Sequence, residues 1–172
     1  MRKIFRSSAT GIVSWGFFLS QAIAMSQGPI VLDIRQVDGK PAACMPTNND
    51  QAAQTIQIRM VGVSRATGPV SPDVIYWGLE VPESAKPVYL KRGECLVYGQ
   101  TIDGAVVDTP PKALDVNKSY DFAIIPVGNG GPVYGAGFCV LKGSDGTARV
   151  AVPQETQNPC SFTHAKPAAA PL

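Results

Sequence analysis

From Ile30 onward, apolar and polar residues alternate with period two, the pattern of strands that bury one face. Between Ile30 and Val37, Leu32 and Ile34 point one way and Asp33 and Arg35 the other. Asp38-Gly39 follows as a two-residue hairpin turn, because both central positions of a type I′ turn need positive φ. Lys40 to Pro46 returns as a short strand. Ile56, Ile58 and Met60 then alternate with Gln57 and Arg59, and Val61 and Val63 break that parity, which predicts a bulge or burial on both faces. Val74 to Val81 carries Ile75, Trp77, Leu79 and Val81 on one side, so Trp77 is expected inward and Tyr76 outward.

Further short strands are read at Tyr89-Leu90 and from Glu94 to Tyr98. Another runs through Tyr120, Phe122 and Ile124 to Pro126, and one more spans Val133 to Leu141 after the glycine-rich turn at Gly128 to Gly131. Asp145-Gly146 turns into a last strand containing Val150 and Val152. No segment beyond the N-terminal leader sustains a 3.6-residue period, and 15 prolines are scattered along the chain. The spacing predicts an all-β antiparallel sandwich of the immunoglobulin-like kind, with a small β-barrel as the runner-up. Ile56, Ile58, Met60, Trp77, Leu79, Phe122 and Ile124 are expected to share its core.

The first residues follow a different pattern. Arg2, Lys3 and Arg6 precede an apolar stretch from Gly11 to Leu19, and Ala22-Ile23-Ala24 supplies the small-x-small site of a secretory signal peptide. The apolar run is shorter than the roughly 20 residues that cross a bilayer. The expected organisation is a signal peptide over 1–24, a β-sandwich domain over 25–153 and a partly disordered tail over 154–172, rich in Ala and Pro. Mature protein would then begin at Met25, in the periplasm and without membrane insertion.

Export changes the charge argument. Three of the 15 basic residues lie in the leader, which leaves twelve against 13 acids. A nearly neutral domain carries no electrostatic footprint for nucleic acid. Export also decides how the four cysteines are read: Cys44, Cys95, Cys139 and Cys160 are expected to form two disulfides. Their spacing offers no C-x-x-C pair for zinc. Cys44–Cys95 with Cys139–Cys160 would tether the C-terminal segment. The competing arrangement, Cys44–Cys139 with Cys95–Cys160, joins the first and late strands.

Little in the chain points to catalysis. The single histidine, His164, lies in the weak C-terminal segment, where nothing would orient an imidazole as a base. The acids are dispersed, and the glycine cluster lacks the Lys-Ser/Thr of a phosphate loop. No catalytic residue, cofactor or metal is therefore expected. Tyr76, Tyr89 and Tyr98 are the candidates for a partner-binding patch, since aromatic residues are enriched at interfaces.

Three segments carry a family resemblance. Trp77-Gly78-Leu79-Glu80-Val81, Ala85-Lys86-Pro87-Val88-Tyr89-Leu90 and Arg92-Gly93-Glu94-Cys95-Leu96 form an ordered series that resembles the type VI secretion immunity periplasmic lipoproteins. Gly39 to Cys44, Lys118-Ser119-Tyr120 and Gly137-Phe138-Cys139-Val140 extend the likeness over about Ile30 to Leu141. The resemblance implies an exported β-sandwich that neutralises an injected effector toxin through a protein–protein contact. No cysteine sits at the cleavage site, so a soluble periplasmic form is expected in place of a lipoprotein. The alternatives are a structural or adhesive envelope component, such as a pilus-like subunit, and a small ligand-binding periplasmic domain.

Overall fold

A computed structural model describes residues 28–66, 73–128 and 132–152. Strands and no helix occur among them. In chain order these are β1 (Ile30–Val31), β2 (Asp33–Val37), β3 (Lys40–Cys44), β4 (Thr55–Arg65), β5 (Val74–Glu80) and β6 (Tyr89–Lys91). They are followed by β7 (Cys95–Val97), β8 (Val106–Thr109), β9 (Lys118–Pro126), β10 (Tyr134–Lys142) and β11 (Ala148–Ala151). A large sheet runs β1-β10-β9-β4-β5-β8, with β11 also pairing β10 and β6 also pairing β4. A small sheet runs β2-β3-β7. Both sheets are open, so the architecture is the expected sandwich and not the barrel. One pairing departs from the antiparallel rule: β1 lies parallel to β10.

The stretch read as a single strand from Ile30 to Val37 divides at Leu32. Ile30 and Val31 pair with Tyr134 and Gly135 in the large sheet, and Asp33–Val37 joins the small one. Leu32, buried at the crossing, stitches the sheets over a common core. The hairpin that follows is as read, with Asp38 and Gly39 at φ 48 and 77 between paired Val37 and Lys40. β5 and β6 lie in line along one edge of β4, because the Val81 N–H donates to Arg59 O and the Ile58 N–H to Val88 O. Between them Pro82 to Pro87 leaves the ladder, as prolines without an N–H must.

The core is aromatic. Trp77, Tyr120, Phe122, Tyr134 and Phe138 are fully buried with Leu32, Ile58, Leu79 and Ile124. Trp77 meets Phe122 edge-to-face at 5.9 Å and Tyr98 at 5.6 Å, the arrangement that ring quadrupoles favour.

Two bulges set the parity: the one in β4 is what the break at Val61 and Val63 predicts, and the one in β5 overturns the expected alternation. In β4, Ile58 opposes Pro126 and Met60 opposes Ile125, so Arg59 is the extra residue. Met60 consequently leaves the core, where it had been expected, and Val61 and Val63 enter it. In β5, Trp77 opposes Val63 and Ile75 opposes Ser64, so Tyr76 is the extra residue. That bulge turns Tyr76 inward beside Trp77 and leaves Ile75 42 % exposed, the reverse of what simple alternation predicts. β8, just before Pro110-Pro111, is a strand the periodicity did not reveal.

Candidate functional site

The proposed tyrosine patch does not assemble. Tyr76 and Tyr98 are core residues, 7 % and 6 % exposed, whereas Tyr89 is 56 % exposed on β6. The Tyr98 hydroxyl lies 2.7 Å from the Lys112 carbonyl and 3.0 Å from that of Tyr76, and burial pushes its pKa up to about 12. Burial does the same to Tyr120, which accepts a hydrogen bond from the Asp115 N–H. Tyr76 donates to the Asp115 carboxylate, which also pairs with Arg65 at 3.1 Å. These groups brace the 112–115 loop against the sandwich and are not offered to a partner.

Of the cysteines, Cys44 and Cys95 are joined. They sit directly opposite each other on β3 and β7, with Cα atoms 3.9 Å apart. That distance belongs to the closer, non-hydrogen-bonded type of antiparallel pair. The pairing Cys44–Cys139 is thereby excluded. Cys139 is also disulfide-bonded; Cys160, the partner expected for it, lies outside the described residues, as does His164.

What the strand register does assemble is a bare band on the outer face of the large sheet. Gly135 opposes Val31 on one side and Ala123 on the other. Ala123 opposes Gly62, Gly62 opposes Gly78, and Gly78 opposes Thr109. A row of small side chains therefore crosses β10, β9, β4 and β5, closed at its ends by Val31 and Thr109. A Cβ at Gly62 would come no nearer than 3.8 Å to another atom, and one at Gly78 no nearer than 3.6 Å. Neither glycine is demanded by φ or by packing. Glycine inside a strand weakens it and marks places where another backbone or a ligand comes close.

Apolar and polar side chains together border this band. On one side the register aligns Ile125, Met60, Glu80 and Val106; on the other it aligns Gly137, Asp121, Ser64 and Ile75. Val31, Ile75, Val106 and Val133 are all substantially exposed. At the β1 end the band widens into a groove of about 450 Å³ between Val31, Val133, Gly135 and Val152. Partial desolvation, with Asp73 nearby, raises the carboxyl of the otherwise exposed Asp121 above its ordinary value. A partner closing over the groove would desolvate that carboxylate further and would gain by supplying a donor to it.

The fold is a disulfide-bonded β-sandwich whose large sheet, among the described residues, has an uncovered outer face with exposed apolar side chains. No protein-family model matches the chain, nor does any curated protein or solved structure. In the sequence Gly62 and Gly135 belong to no motif, and Gly78 stands only inside the Trp77-to-Val81 segment. Their signal was there, as Gly62, Gly78 and Gly135 inside otherwise good strands, but only the cross-strand register places them in one line.

Proposed function

We propose that this chain is an exported, non-catalytic binding domain that neutralises a type VI secretion effector in the periplasm. The outer face of the large sheet, uncovered among the described residues, carries the binding part of this reading. Its exposed Val31, Ile75, Val106 and Val133 favour an interaction site, and the band of small residues lets a partner's backbone come close to the sheet. Neutralisation needs no reacting group, only occlusion of the toxin by an interface of roughly 1,600 Å² in total. The ordered series from Trp77 to Leu96 supports the immunity assignment, and the leader over 1–24 supports the compartment.

The test is co-purification of residues 25–172 with an envelope-targeting effector, together with growth protection of cells that receive it. Protection that is lost when Gly62 becomes Val, in a protein that melts normally, is the expected outcome. A Gly62→Val protein that protects fully would remove the face from the interface, and failure to protect against any effector would remove the immunity reading. Exposed Val106 and Val107 on the edge strand β8 favour one other reading, an envelope subunit that shares strands. Defined higher oligomers on a sizing column would support that alternative.

A further inference from the structure

Where β6 leaves the large sheet and β7 begins the small one, the sandwich opens into a cleft of about 610 Å³. Its size lies within the roughly 300–1,000 Å³ usual for small-ligand sites. Tyr89 stands at the rim as the only exposed aromatic side chain among the described residues. Strand alternation sets it there: Leu90 beside it is buried, so the Tyr89 ring must face out. Leu96 and Ile102 form an apolar floor.

Among the described residues, the polar groups around the mouth are partly or wholly unused. Glu94 accepts the Lys91 N–H through Oε2, which leaves Oε1 open. Gln100 accepts the Val97 N–H through Oε1, which leaves its NH₂ open. Thr101, Asp103 and Lys86 make no side-chain hydrogen bond or ion pair among the described residues. The mouth thus presents donors and acceptors of both charge signs beside a bare aromatic ring. A lipid or purely apolar ligand would cover these groups without satisfying them, at a cost for each one. A phosphate or other dense anion would meet two carboxylates.

We infer that this cleft binds a neutral oligosaccharide. A pyranose has a C–H face that packs on an aromatic ring and a rim of hydroxyls that both donate and accept. Tyr89 takes the face; Gln100, Thr101 and Asp103 take the hydroxyls. The Cys44–Cys95 bridge holds the β7 wall to β3, so the site is fixed before a ligand arrives. This site lies apart from the outer-face band, and either can fail without the other.

Titration of the mature protein with chitotriose, cellotriose and maltotriose, followed by calorimetry and amide chemical shifts, tests the inference. At least one trisaccharide should bind with millimolar or better affinity and shift the amides of Tyr89, Gln100 and Thr101. Tyr89→Ala should weaken it about tenfold, while Tyr89→Phe keeps the ring and stays near wild type. Asp103→Asn should weaken binding, and Gly62→Val should leave it unchanged. A parallel pull-down on insoluble peptidoglycan distinguishes a polymeric envelope glycan from a free sugar. Thermal melts matched to wild type certify each variant. Absence of binding by all three sugars, or unchanged affinity in folded Tyr89→Ala, would overturn the assignment.

Discussion

Gly62 of β4 and Gly78 of β5 face each other at the middle of the large sheet, and neither is sterically required to be glycine. The pair therefore costs stability that the fold itself does not need to lose. Gly62→Ala should stabilise the protein by about 0.4–1 kcal/mol, mainly by restricting the unfolded chain. Urea denaturation measures this. The same substitution should slow or weaken partner docking, and a bulkier Val should weaken it further. A destabilised Gly62→Ala would mean that the backbone there needs glycine after all.

The Tyr76 bulge makes a second expectation quantitative. Adjacent residues on a strand ordinarily contribute one side chain to the core, but here both Tyr76 and Trp77 do. Alanine at either should cost about 3–5 kcal/mol. Met60→Ala, on the outer face, should cost clearly less. Chemical denaturation of the three variants distinguishes this from simple alternation, under which Tyr76→Ala would be nearly silent.

The β4 bulge was legible from Val61 and Val63, whereas the one at Tyr76 was not. Asp38-Gly39, the Tyr120-Phe122-Ile124 face and the Cys44–Cys95 bridge were legible because each depends on neighbours in sequence or on a short list of pairings. Whether Tyr76 points in or out depends on an extra residue opposite Val63 and Ser64, a property of two strands at once. The Gly135-Ala123-Gly62-Gly78 band is less legible still, since it needs the register of four strands. The split at Leu32 leaves no mark in the sequence, because alternation continues through it unchanged.

The Cys44–Cys95 bridge closes a loop spanning 51 residues. Its removal should cost about 2–4 kcal/mol, chiefly through the freer unfolded state. The double variant Cys44→Ala/Cys95→Ala, compared with wild type by thermal melt, checks it. Non-reducing peptide mapping should recover the Cys44–Cys95 peptide, with Cys139 and Cys160 in a second one.

Alkaline pH should destabilise the fold over a defined window. Tyr98 and Tyr120 are held neutral by burial, with pKa values near 12 against an ordinary value of 10.0. The unfolded chain then loses its phenolic protons first. The stability these groups contribute is complete below pH 10 and is lost as pH rises toward 12. Tyr98→Phe should flatten that slope in urea titrations monitored by Trp77 fluorescence.

Asp121 carries the same sign at the acid end. Its raised folded pKa means that its contribution is complete below the ordinary aspartate value and is lost as pH rises through the folded one. Asp121→Asn should be at least as stable as wild type at neutral pH and should lack that loss. Equal slopes across the acidic range in both proteins would place the titration elsewhere.

The parallel pairing of β1 with β10 has a consequence for the order of events during synthesis. The first strand made has no partner until one of the last is finished, and β4 acquires its neighbour β9 only after most of the domain has been translated. Pairings this distant in sequence form late and slowly. A nascent chain of this topology can close its local β2-β3 and β4-β5 hairpins early, but its large sheet stays open at the centre until the C-terminal strands arrive.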